Sequence, residues 1–600
     1  MSMPLRPSCA ITPADRLAAH WKALVVLFWV ATAIGLVAYK WNAIHWLALG
    51  DTDDNIRFAQ VRDWVAGQGW YDLRQHRLNP PGGFNIHWSR FCDLFIAGLY
   101  LGARLFAGAP ESWRFAAAVA PMLPLALAMT AVALIARRLI DPRAVPLALA
   151  ALLCAQTALL MFMPLRIDHH GWQLALLLTS VAGLADPRPG RGGITVALAS
   201  ACALAIGLET LPYIGFAGAA IALRWAWDAA EVRRMRRYGA VLAAATALAF
   251  VAFASNDNRR AVCDALSPVW LTVAVAGGGG LAIASLLPLR TRALRLCAVL
   301  AVGAAVAALY ILLFPQCLQR LEGISPELER LWLSNVREAK PIYQHPWRTA
   351  LTVATLPVMG MIGAAAATWR ARHVPDRLAA WGVIALFSWF ATALLLWQTR
   401  AGPSAQLLAV PGVAALGWAI LPRLAAHRLA VVRVVGTVAV FFAITALFVP
   451  YALRLLPAAP EKGRPRPEEK TARLCPTLPA LRAIAAIRPV QTIFTFIDLG
   501  PRLVAMTPQR AVAGPYHRNG AAILDVQHAF RGSPGQARAI IARHGATLLL
   551  TCPGMAEATV YQARAKHGFY AELARGHVPA WLRPVPLPKG SPFRLWRVAD

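Results

Sequence analysis

The chain has 600 residues, of which 58% are hydrophobic and 15% charged, with a mean hydropathy of +0.50. That balance excludes an ordinary soluble globular protein and places the chain among polytopic membrane proteins. The formal charge of +31 does not point to nucleic acid, because the excess falls in short loops between apolar runs, as at Arg137-Arg138, Arg233-Arg234 and Arg423 with Arg428. Such loops orient helices by the positive-inside rule and meet anionic headgroups.

The first twenty residues are polar, carry Arg6 and Arg16, and show no cleavable signal. The apolar run over 21–39 is long enough to span and reads as a signal anchor with a cytoplasmic N-terminus. Further spans are predicted at 114–136, 145–163, 172–185, 194–209, 211–227, 239–254, 268–287, 295–314, 348–367, 379–397, 404–421 and 432–451. These make about thirteen helices by the window criterion. The break from Glu209 to Pro212 is compatible with a kink in one helix. An odd count puts the C-terminus outside, together with two long loops, 40–113 and 315–347.

The first of these loops holds Trp64, Trp70, Tyr71, Trp88 and the turn-forming run Asn79-Pro80-Pro81-Gly82-Gly83. Its end, 92–107, is apolar but interrupted by Asp93 and Arg104, and reads as an interfacial amphipathic helix. Residues 457–470, rich in Pro, Lys, Arg and Glu, read as a linker. Beyond it, β-branched or Leu-rich runs at 491–497 and 546–552 flank a helical stretch at 534–544, the pattern of a small α/β unit. The expected organisation is a membrane domain over 1–451 and a linker with a periplasmic domain over 452–600. Of nine cysteines, Cys263, Cys317, Cys475 and Cys552 fall outside; the pairs 263–317 and 475–552 are compatible with an oxidising periplasm.

Polar groups collect at the outer ends of spans. Asp51, Asp53 and Asp54 crowd four residues. One Asp there caps a helix, but three exceed that need. Asp168-His169-His170 lies between two apolar stretches; Asp168 and His170 can point the same way from an extended segment. Acids and imidazoles at that depth are costly and line functional cavities more often than they face lipid. Oxygen and nitrogen ligands from two loops can hold one divalent cation. Glu338 in the second long loop, Arg400 after a span, and Glu209 at a membrane edge complete the candidates. An outer-end Arg either snorkels or clamps phosphate.

The order of these landmarks resembles the catalytic subunits of oligosaccharyltransferases, which have the GT-C glycosyltransferase fold. The matching features are Asp51 with Arg57 six residues on, Asp168-His169-His170 after the third helix, Asn335-Val336-Arg337-Glu338 with Pro341, and Arg400 before an apolar helix reaching Pro411. The family's Trp-Trp-Asp-Tyr-Gly motif is matched only by Phe496-Ile497-Asp498-Leu499-Gly500. The aromatic residues that read a peptide sequon are absent.

The resemblance implies an all-α polytopic membrane domain of the GT-C fold with a small C-terminal α/β domain; Ala- and Arg-rich usage points to a bacterial inner membrane. The resemblance also implies a polyprenyl phosphate or pyrophosphate sugar donor, an extracytoplasmic glycan, lipid or protein acceptor, and Mg²⁺ or Mn²⁺. The metal ligands it implies are Asp51, Asp168 and His170. Asp51, Glu338 and Arg400 would be catalytic, and Arg57, His169, Glu209, Asp498, Tyr516, His517 and Arg518 would contact substrate. Two other readings compete. One is a GT-C transferase using a lipid-monophosphate sugar. The other is a transporter or flippase, which would bind near the membrane midplane on broken helices rather than at one outer face.

Overall fold

The computed structural model describes residues 19–457, 474–475 and 477–599. The expected linker lies outside the described residues apart from its first position. Among the described residues, eight helices are long and apolar enough to cross a membrane. A ninth span results if Val432–Ile444 and Phe448–Leu455, which meet at 90°, count as one.

Each of the thirteen expected spans contains helix, but five are short or broken. The span over 145–163 divides into Val145–Leu153 and Gln156–Leu160, and His170–Leu184 is only 15 residues long. The latter starts at a buried polar loop, with Asp168 4% and His169 1% exposed. The chain between Ile206 and Leu211 leaves the helix, and Glu209 sits in that gap.

Small residues let the helices pack closely. A Cβ on Gly363 would lie 2.0 Å from the Gly412 carbonyl oxygen, so Trp347–Arg370 and Gly402–Ala425 cross with their backbones in contact. Without a hydrophobic drive between helices in lipid, such van der Waals approach is what holds them.

The first long loop is ordered. Helix Thr52–Val65 is followed by an antiparallel ribbon of β1 (Arg74–Gln75) and β2 (Phe84–Asn85), then helix Phe91–Ala103. The last was expected to lie amphipathically at the interface. Instead Asp93 turns inward and is fully buried against Arg57.

The C-terminal unit has a five-stranded mixed sheet of β3 (Thr492–Phe494), β4 (Arg510–Ala511), β5 (Leu548–Thr551), β6 (Leu582–Pro584) and β7 (Arg594–Val598), in the order β4-β3-β5-β7-β6. The β3 strand is parallel to β4 and β5; β7 is antiparallel to β5 and β6. Phe494, Phe496, Phe530 and Tyr561 form an aromatic core on one face.

This unit shares its core with the first loop. Ala511 N–H donates to Arg77 O at 2.9 Å, and Asn79 N–H donates to Ala511 O at 2.8 Å. The loop thus adds to the open edge of the sheet and covers unpaired backbone groups. Tyr516 stacks on Phe84 with ring centres 4.8 Å apart. Arg62 donates to Ala505 O at 2.6 Å across 443 positions of sequence.

Both expected disulfides are present, Cys263–Cys317 and Cys475–Cys552, with Cα separations of 5.4 and 6.3 Å. The first ties the segment before helix Pro268–Ala284 to the start of the second long loop.

Candidate active site

The site lies where the first loop, the turn before His170–Leu184 and the C-terminal unit meet. Asp51 caps helix Thr52–Val65, its Oδ1 accepting from Asp53 N–H at 3.1 Å. Its other oxygen, Oδ2, accepts from Arg166 Nη1 at 2.6 Å. Capping and site chemistry therefore use different atoms of one side chain.

Asp54 is fully buried; its Oδ1 accepts from Asp168 N–H at 3.0 Å and its Oδ2 from Arg166 Nη1 at 3.3 Å. Asp168 Oδ1 accepts from His170 N–H at 3.0 Å, and Asp168 Oδ2 accepts from Arg166 Nη2. Three carboxylates from two loops thus surround one guanidinium.

A second network runs beside the first. Arg57 and Asp93 form an ion pair at 2.6 Å with both side chains 0% exposed. Arg57 also packs over the Trp88 ring at 4.8 Å, and its Nη2 lies 3.3 Å from His169 Nδ1. His169 Nε2 contacts Glu209 Oε1 at 2.8 Å, and Gln173 donates to the other Glu209 oxygen. His87 stands 4.0 Å from Glu209, and its ring lies 4.7 Å from that of His517. His517 and Arg518 both grip Asp264, at 2.6 Å for each contact.

Electrostatics follow burial and partners. Burial and the Asp51 charge push the Asp53 carboxyl up to about 7. Burial also raises Asp54, although Arg166 opposes it. Burial works against the Asp168 charge too, but Arg166 and the neighbouring imidazoles outweigh it and hold that carboxyl low. Glu209 goes well below the usual range because His169 outweighs its burial.

Of the residues expected from the sequence, Asp51 and Asp168 converge, through Arg166. His170 opens its helix, and its ring lies 4.4 Å from that of His169. Among the described residues, no three His, Cys, Asp or Glu side chains form a group that could hold a metal ion. Glu338 and Arg400 pair with each other and are both exposed. Asp498 sits on the C-terminal unit, where desolvation by the surrounding protein and then the Asp51 charge raise its carboxyl.

Three expected substrate contacts are buried and partnered within the protein. Arg57 is locked by Asp93, His169 is 1% exposed, and Tyr516, 3% exposed, donates to Thr52 O at 2.9 Å. Sequence reasoning gave no role to Arg166, Asp93, His87 or Asp264. Arg166 stands two residues before Asp168, and Asp93 interrupts an apolar run; both signals were legible. Nothing in the sequence pairs Asp264 with Arg518.

The helical membrane domain, two long loops and small terminal sheet define a GT-C membrane fold, the class of glycosyltransferases that the sequence resembles. In particular, it is the fold of archaeal oligosaccharyltransferase AglB from Archaeoglobus fulgidus, solved with an inhibitory peptide and a dolichol-phosphate. The superposition covers 97% of this chain and 75% of that one, with a TM-score of 0.66 at 13% identity. An apo-form Archaeoglobus fulgidus oligosaccharyltransferase gives a TM-score of 0.66 at 14% identity, covering 88% of this chain and 69% of its own. A structure of that oligosaccharyltransferase with Zn and sulfate gives 0.59 at 15% identity, covering 96% and 73%. At these identities the likeness establishes the fold. No family model matches the sequence, and no curated protein matches it.

Proposed function

We propose that this chain is an integral-membrane glycosyltransferase. It moves a sugar or oligosaccharide from a polyprenyl phosphate or pyrophosphate to a glycan, lipid or protein acceptor on the periplasmic side of a bacterial inner membrane. The observation that carries this reading is the convergence of Asp51 and Asp168, from loops 115 positions apart by the Asp51–Arg166 contact, at one end of the helices of a GT-C fold. The two disulfides support a periplasmic site, because such bonds persist in oxidising compartments.

Asp51, with its side chain 40% exposed and held beside Asp168 by Arg166, is the candidate base. The acceptor oxygen or nitrogen bonds to the anomeric carbon as the bond from that carbon to the phosphate oxygen breaks. The acceptor proton passes to Asp51 and the bonding pair leaves with the lipid phosphate. One displacement inverts the anomeric configuration. Arg400 and Arg166 meet the developing phosphate charge. Asp498, Glu209, His517 and Arg518 border the acceptor space. Lacking the aromatic sequon-reading residues, that space favours an acceptor other than an Asn-x-Ser/Thr peptide.

The resemblance implies Mg²⁺ or Mn²⁺ on Asp51, Asp168 and His170. The residues present do not fit that ion as arranged, because Arg166 holds both carboxylates. No step is therefore derived through a metal.

The test is mass spectrometry of lipid-linked sugars and envelope glycans from cells lacking the gene. The donor is expected to accumulate, wild type to restore transfer, and Asp51→Asn to restore at least about 100-fold less, the size of a general-base contribution. Full complementation by Asp51→Asn at equal protein level would reject the assignment.

A further inference from the structure

Three carboxylates of the site, those of Asp51, Asp54 and Asp168, each give one oxygen to a backbone N–H and the other to Arg166. Asp51 Oδ1 serves Asp53 N–H, Asp54 Oδ1 serves Asp168 N–H, and Asp168 Oδ1 serves His170 N–H. The three remaining oxygens converge on Nη1 and Nη2 of Arg166. We infer that Arg166 is the resident cation of this site, joining the two loops in the place a divalent ion would take and making such an ion unnecessary.

The backbone supports this role. Leu165 is held at φ +75°, an unusual conformation for a residue with a Cβ. Leu165 is buried, and its N–H is fixed to Ala117 O at 2.9 Å, while Arg166 N–H donates to Met163 O at 3.0 Å. Strained backbone persists where its surroundings over-determine it. Here it holds the root of Arg166 beside the carboxylates. A small hard cation needs several oxygens at about 2.0–2.2 Å in a near-octahedral shell. A guanidinium instead presents a planar fork of donors matched to carboxylates. The side chain of Arg166 is 21% exposed. Arg166 acts as a positioning residue for Asp51.

The catalytic consequence rests on the glycosyltransferase reading; the cation-binding consequence does not. The experiment therefore has two arms. In the first, purified, chelator-treated full-length protein is titrated with Mn²⁺ and bound ion is read by electron paramagnetic resonance. Wild type is expected to hold no stoichiometric Mn²⁺, and Arg166→Met to gain one ion that Asp168→Asn removes. Arg166→Lys, which keeps the charge, is expected to exclude the ion as wild type does. Stoichiometric Mn²⁺ on wild type, or no gain in a folded Arg166→Met, overturns the inference. If Arg166→Met does not fold, the wild-type titration decides.

In the second arm, transfer from endogenous lipid-linked donor is followed in membranes with excess EDTA. The wild-type rate is expected to be unchanged. Loss in EDTA with recovery on adding Mn²⁺ overturns the inference and leaves glycosyl transfer standing. Absence of transfer with and without Mn²⁺ counts against the functional reading alone, and the titration still decides the role of Arg166.

Discussion

Removing Asp93 tests how the buried polar network supports the site. Arg57 and Asp93 are both fully buried and 2.6 Å apart. Taking one partner from such a pair strands a charge, which costs about 3–5 kcal/mol. Arg57 would keep the Trp88 ring at 4.8 Å and a weak contact to Ser89 O at 3.5 Å. Arg90, 3.5 Å from Asp93, loses a second contact but keeps carbonyl partners on Trp70 and Asp72. Asp93→Leu is therefore expected to destabilise the protein by about 3–5 kcal/mol. The double change Arg57→Met with Asp93→Leu should recover most of that, because the pair is replaced by apolar groups rather than broken. The assay is reversible unfolding in mixed micelles on all four members of the double-mutant cycle. A coupling below about 0.5 kcal/mol, the limit of additivity for independent sites, would refute the claim that the pair is energetically joined.

Two further outcomes concern the C-terminal unit and the orientation of the loops. Burial and the Asp498 charge push Glu557 up to about 8, although Ile497 N–H, Asp498 N–H and Tyr561 donate to it. Its folded pKa exceeds the ordinary 4.5, so it binds protons more tightly in the folded state. Its stabilising contribution is complete below 4.5 and is lost as pH rises through about 8. Thermal unfolding from pH 5 to 9 should show this loss, and Glu557→Gln should flatten it; an unchanged slope in the variant would refute the assignment. Reduction of Cys263–Cys317 should free thiols that a membrane-impermeant maleimide labels in intact spheroplasts. Labelling only after the cells are broken would put this face in the cytoplasm and overturn the periplasmic reading.

Hydropathy alone located helix at every expected span, because lipid forces backbone groups to pair within a segment. It overstated their lengths near the site. The short helix His170–Leu184 starts at buried Asp168 and His169, where polar neighbours replace the headgroups that length counting assumes. The α/β character of the tail was legible from its β-branched runs, but the union of β4 with residues 77–79 was not. Edge pairing uses backbone atoms and leaves no side-chain signature. At the site, the acids were legible because their burial is costly. Arg57, His169 and Tyr516 were legible as unusual positions but their partners were not, since Asp93, Glu209 and Thr52 are brought near by tertiary packing. Arg166 was passed over because a basic residue beside a span has an ordinary topological explanation.

The closure of the sheet edge by the first loop has a consequence for biosynthesis. Arg62 and Ala505 meet across 443 positions, so the loop leaves the ribosome long before the strand it joins. Until the segment around Ala505 and Ala511 is made, the loop lacks the partner for its apolar side and its unpaired edge. The loop is thus sealed by residues made long after it. Truncating the tail would uncover the site rather than trim an appendage.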